Sequence, residues 1–115
     1  MNGPIYIKSK QLAIEGIRFS KFLKSKKETE IAKQLFRSIT SVGANIHEAQ
    51  SAESRNDFIH KLKIAQKELN ESIYWTDIVT AALEIPKPPI LDSLSIECQK
   101  MLNKILSTAK QNGEK

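Results

Sequence analysis

From Ile31 to Ala49 the chain places apolar side chains at Ile31, Leu35, Ile39, Val42, Ile46 and Ala49, in steps of four, four, three, four and three. That spacing keeps one face of an α-helix apolar over more than five turns and is the seam of a helical bundle rather than a strand pattern. A second long run follows almost at once, through Phe58, Leu62, Ala65, Leu69 and then Ser72 or Ile73, continuing by Ile78, Val79 and Leu83 towards Pro86. Between them, Ser54-Arg55-Asn56-Asp57 reads as a capping box, with Ser54 as the cap and Asp57 at the third helical position. The pair is therefore expected to fold as an antiparallel hairpin turning near residue 53. Gly43 sits inside the first helix and costs it about 1 kcal/mol of propensity. A tight helix crossing at that position is the expected compensation.

The rest of the chain supplies two further helices. Leu12, Gly16, Phe19 and Leu23 share one face of a segment predicted to run from about 9 to 24, with Ser9 as its N-cap. Ile14, Ile17 and Phe22 widen its apolar surface beyond that face. Thr29, flanked by Glu28 and Glu30, is the expected N-cap of the next helix, predicted over 29–52. The hairpin's second helix is predicted over 54–84, and the cluster Pro86, Pro88, Pro89 enforces a rigid linker after it. Leu91, Leu94, Cys98, Met101 or Leu102, and Ile105 then line a last helix over 89–111. At 115 residues there is room for one domain, and four helices each apolar on one face close an up-down-up-down bundle.

Charge adds a functional hint. Up to residue 27 the chain carries seven lysine and arginine residues against Glu15 alone, so the remainder of the +5 protein sums to −1. Arg18, Lys21, Lys24, Lys26 and Lys27 form the candidate contact surface for RNA or DNA phosphates. The competing reading is a solvated helix face with a lysine-rich turn. Arg37, Asn45 and Glu48 run beside the first apolar seam, and Lys61 and Glu68 beside the second. A turn at 53 would let Glu48 reach Lys61 and Arg37 reach Glu68, polar pairs suited to fixing the hairpin's register. Adjacent aromatic residues Tyr74 and Trp75 point about 100° apart on a helix. One seam cannot bury both, so either Trp75 closes one end of the bundle or Trp75 or Tyr74, with Phe36 or Phe22, forms a subunit interface.

Chemistry of other kinds finds no support. Bundle di-metal sites need Glu-x-x-His pairs, whereas Glu68-Leu69-Asn70-Glu71 lacks a histidine, and His47 and His60 fall on opposite sides of the turn. No phosphate-binding glycine loop or nucleophile elbow occurs, so neither an enzyme, a metal nor a cofactor is expected. Cys98 lies on an apolar stripe and reads as a core residue of a chain kept in a reducing compartment. The start MNGPIYIKSK has no apolar run of the kind a signal peptide or membrane span requires, so a cytoplasmic location and no membrane contact are expected.

Ser41-Val42-Gly43-Ala44-Asn45-Ile46-His47-Glu48, together with Asp57-Phe58-Ile59, Ile64-Ala65 and Tyr74-Trp75, resembles a known family. These are the small four-helix proteins encoded by intervening sequences in bacterial 23S rRNA genes, relatives of the accessory variability proteins of diversity-generating retroelements. The resemblance implies an up-and-down bundle assembled as a homopentamer and a nucleic-acid-binding role; the alternative is a structural or protein-interaction module such as a retroelement-type accessory protein. The chain departs from the family pattern in having His47 where alanine is usual and Ala49 where glycine is usual.

Overall fold

The computed structural model describes residues 3–113, with side chains as far as residue 110. They form four helices: α1 (Pro4–Ser25), α2 (Thr29–Ala49), α3 (Arg55–Leu83) and α4 (Pro89–Gly113). α1 packs against α2 and α4, and α3 against α2 and α4, while the diagonal pairs stand farther apart. The result is an all-α, antiparallel four-helix bundle about 50 Å long and 20 Å thick.

α1 begins earlier than its apolar spacing suggests. Pro4 occupies the first helical position, where its missing N–H costs nothing and its fixed φ is already helical. Ser9, expected as the cap, is instead buried in the second turn, and its hydroxyl donates to the Tyr6 carbonyl at 3.1 Å. Thr29 is likewise the first residue of α2 rather than its cap; Glu28 holds the cap position without a side-chain hydrogen bond. The Ser54 cap does form, its hydroxyl accepting from the Asp57 amide at 3.0 Å.

Two helices end on left-handed residues that are not glycine. After α1, Lys27 adopts φ 65°, the Glu28 amide bonds the Leu23 carbonyl, and the Lys27 amide bonds that of Lys24. These are the two hydrogen bonds of a Schellman motif, which normally recruits glycine at the left-handed position. Glu84 at φ 55° ends α3 in the same way, with Ile85 bonded back to Thr80 and Glu84 to Ala81. The strained residue lets the chain reverse within three residues and bring α2 directly alongside α1.

The core is one continuous column containing Leu12, Leu23, Leu35, Ile39, Ile46, Leu62, Leu69, Leu91 and Leu102. Helical period prevails over hydropathy on α3, where Ser72, Thr76 and Thr80 are buried and Ile78 is partly exposed. Each of those hydroxyls donates to a carbonyl four residues back, so none of the three is stranded by burial. Ser72 also meets Ser38 of α2 at 2.8 Å. Short side chains cannot reach across levels, so this contact reads the register directly: position 38 faces 72, one turn beyond the partner expected for a hairpin turning at 53. The helix limit differs too: α2 ends at Ala49, three residues before its predicted end, and residues 50–54 make the connection.

The tight crossing also differs from expectation. A methyl group at Gly16 of α1 would lie 2.5 and 2.6 Å from Cγ2 and Cδ1 of Ile39. At Gly43 the nearest atom, the Ser9 carbonyl oxygen, would be 3.5 Å away, an ordinary contact. Gly16 is therefore the glycine that close helix packing demands.

Candidate nucleic-acid interface

α1 delivers its lysines to one end of the bundle. The apolar face at Gly16, Phe19 and Leu23 is buried, which turns Lys21 and Lys24 to solvent, and the Schellman turn carries Lys26 and Lys27 out beyond the last helical residue. Cations here complement the negative end of the α1 dipole, a local reason for their presence. That does not discharge them. None of Lys21, Lys24, Lys26 and Lys27 has a carboxylate within 4.0 Å among the described residues. Lys26 instead lies over the Phe22 ring, 5.7 Å from its centroid. Arg18 is different: it is 71% exposed but bonded to Glu15 at 2.9 Å, so its charge is locally balanced.

Four other cations are engaged by carboxylates, most of them between helices. Arg37 of α2 reaches Glu68 at 3.2 Å and also bonds Glu71, whose carboxylate accepts from the Trp75 indole N–H at 3.1 Å. Burial pushes the Glu71 carboxyl up, but the Trp75 and Arg37 bonds outweigh it and leave its pKa below the usual value. Arg37 is raised, chiefly by its bond to Glu71. Lys61 and Glu48 stand 4.0 Å apart at the other end of this interface. Lys8 pairs with Glu97 between α1 and α4, and Lys87 of the proline linker pairs with Asp77 of α3. Asn45, expected as a register residue facing α3, makes its bond within α2. Its amide donates to the Ser41 carbonyl at 2.8 Å, because a residue half-buried beside the seam finds its own helix nearer than its neighbour.

Phe22 (41% exposed), Phe36 (47%) and Tyr74 (57%) present aromatic surface to solvent. Trp75 is turned inward, half-buried against the core, with Tyr74 edge-on to it. Cys98 is fully buried, and its thiol is pushed up to about 11 by desolvation first and Glu97 second, which suits a packing role. No three His, Cys, Asp or Glu side chains converge as a metal-holding group among the described residues. No helix among them is long and apolar enough to cross a membrane.

One cluster is absent from the sequence reading. The Tyr6 hydroxyl contacts Nδ1 of His47 at 2.5 Å, the two rings stack at 5.5 Å, and Lys10 lies over the tyrosine ring. A helix started at Ser9 leaves Tyr6 outside any element, although Pro4 as a first-turn proline is the signal that includes it.

The sequence matches no curated protein significantly. A solved crystal structure of a protein with unknown function from the S23 ribosomal protein family of Bacteroides thetaiotaomicron shares 40% sequence identity and a TM-score of 0.81, over 89% of this chain and 97% of that one. The family model described as 23S rRNA-intervening sequence protein matches residues 2–107, nearly the whole described bundle. On both the helical architecture and this match, the chain belongs to the family of 23S rRNA-intervening sequence proteins.

Proposed function

We propose that the protein is a non-enzymatic, self-associating helical bundle that binds RNA or DNA through backbone phosphates, without reading bases. The observation carrying this reading is the end of α1, where four lysines within seven residues stand exposed and unpaired, the densest run of such cations among the described residues. Such a patch neutralises phosphates and releases counterions, which gives affinity steeply dependent on salt and little dependent on sequence. Copies of the chain associate, as a pentamer by likeness to the family, with Phe22, Phe36 and Tyr74 as the contact residues. Each added copy repeats the patch and multiplies weak contacts into avidity.

The test is a salt titration of binding to a labelled 23S rRNA fragment and to an unrelated strand of equal length. If one patch meets four phosphates, log K falls against log salt with a slope of about −3. Replacing Lys21, Lys24, Lys26 and Lys27 by Gln flattens that slope, whereas R18Q changes it less. Salt-insensitive binding, or an unchanged slope in the quadruple variant, overturns the proposal. Light scattering tests association, and a monomer at micromolar concentration removes that part. A second reading, a module whose partner is a protein, draws on the open groove between α1 and α4 where Ile14 and Ile90 are exposed. Co-purification of a protein that survives nuclease treatment would favour it over the first.

A further inference from the structure

At the opposite end of the bundle from the lysine cluster, where α1 begins and α2 ends, a cleft of about 290 Å3 opens between the two helices. Its floor is made of Ala13, Gly43 and Ala44, small residues that leave the space, and its walls carry Tyr6, Lys10 and His47. No acidic side chain lines it among the described residues. The hydroxyls of Ser9 and Thr40 at its edge are spent on the carbonyls of Tyr6 and Phe36. The walls thus hold donors without matching acceptors. Lys10 has no carboxylate within 4.0 Å among the described residues and rests 5.3 Å from the centroid of the Tyr6 ring. The Tyr6 hydroxyl and Nδ1 of His47 lie 2.5 Å apart; with the hydroxyl as the donor, the ring keeps a proton on Nε2, where it can meet an incoming acceptor.

We propose that this cleft is a phosphate-binding site, with the Lys10 ammonium and the His47 imidazole as its donors and Tyr6 as the residue that orients the histidine. A phosphate group offers several acceptor oxygens and meets both donors at once through charge-assisted hydrogen bonds. The volume lies just under the range of about 300–1,000 Å3 typical of small-molecule pockets, so the site takes a single phosphate group and part of what it is attached to. Tyr6 and Lys24 are 18 residues apart on one helix, roughly 27 Å at 1.5 Å per residue. The cleft is therefore separate from the lysine patch, and its ligand is either a free nucleotide or a phosphate of a bound strand.

Side-chain nitrogen resonances of the two histidines test the proposal, with exposed His60 as an internal reference. Inorganic phosphate, a nucleoside 5′-monophosphate and a short RNA lacking terminal phosphates are titrated at fixed pH and at ionic strength balanced with chloride. The expected result is a saturable shift of His47 that His60 does not share. Lys10→Gln weakens the phosphate response about tenfold, the loss of one charge-assisted hydrogen bond. The quadruple lysine variant leaves that response intact, so failure of the lysine patch and failure of this site are told apart. A response to the two small phosphates alone identifies a free ligand, and a response to the RNA identifies a strand. His47 moving no more than His60 with all three probes, or Lys10→Gln responding like the parent protein, overturns the proposal.

Discussion

Substituting alanine at the two mid-helix glycines of the α1–α2 interface should move stability in opposite directions. In an unhindered helix interior, Gly→Ala gains about 1 kcal/mol. At Gly43 the added methyl meets the Ser9 carbonyl oxygen at 3.5 Å and nothing closer, so G43A should realise most of that gain. At Gly16 the same methyl falls 2.5 Å from Cγ2 and 2.6 Å from Cδ1 of Ile39, which is fully buried. A β-branched side chain in a helix has one strongly preferred χ1 rotamer, so Cγ2 cannot swing aside cheaply. Overpacking of this kind costs about 1–3 kcal/mol, and contacts as short as 2.5 Å belong at the upper end of that range, so after subtracting the propensity gain G16A should destabilise the protein by about 2 kcal/mol. Urea denaturation followed by helical circular dichroism reads both variants against the parent. A double-mutant cycle with I39A sharpens the assignment. Removing the Ile39 side chain should cost about 2–5 kcal/mol in the parent and at least about 1 kcal/mol less in the G16A background, where the added methyl occupies part of the vacated space. Refutation would be a G16A protein as stable as the parent, or additive effects in the cycle.

Two further outcomes follow from local geometry. Lys27→Gly relieves the left-handed φ of 65° and should stabilise the fold by about 1 kcal/mol while weakening nucleic-acid binding; Glu84→Gly, at φ 55°, should stabilise similarly with no loss of binding, the contrast being read from denaturation midpoints and anisotropy titrations. The Glu71 carboxyl has a lowered folded pKa, so its contribution is complete above the ordinary carboxylate range near about 4.3 and is lost as pH falls through the folded value; because Arg37 and Glu71 are 50% and 29% exposed, the loss should stay below about 1 kcal/mol, and E71Q should remove that part of the difference between midpoints measured at neutral and acid pH.

How much of this was legible in the sequence depends on which physical term set each feature. The fold followed from period alone: Leu35, Ile39, Val42 and Ile46 occupy the core because a 3.6-residue repeat leaves them no other face. The same period carried Ser72, Thr76 and Thr80 inward against their polarity, because each hydroxyl can bond a carbonyl of its own helix. Hydropathy gives no sign of that, and it misassigns Ile78. Register was read one turn short because the turn was placed at residue 53, and the charge pairs that followed from it, Arg37 with Glu68 and Glu48 with Lys61, form all the same. Arginine and glutamate are long enough to span neighbouring levels, so Arg37 meets both Glu68 and Glu71 and leaves the level undetermined, while the serine pair that determines it carries no charge signal. Helix ends were the least legible. Turns that usually require glycine were closed here by Lys27 and Glu84, each held in place by two backbone hydrogen bonds whose benefit exceeds the strain. The same blindness governs the candidate sites. Lys21 to Lys27 could be found because their charge is contiguous in sequence, whereas Tyr6 and His47 are 41 residues apart and meet only because the hairpin at Lys27 folds one end of α2 back beside the start of α1. Long-range pairs of uncharged or weakly basic groups leave no trace in composition or spacing, so in a bundle of this kind the unannounced chemistry should be sought where the two ends of a helical hairpin converge.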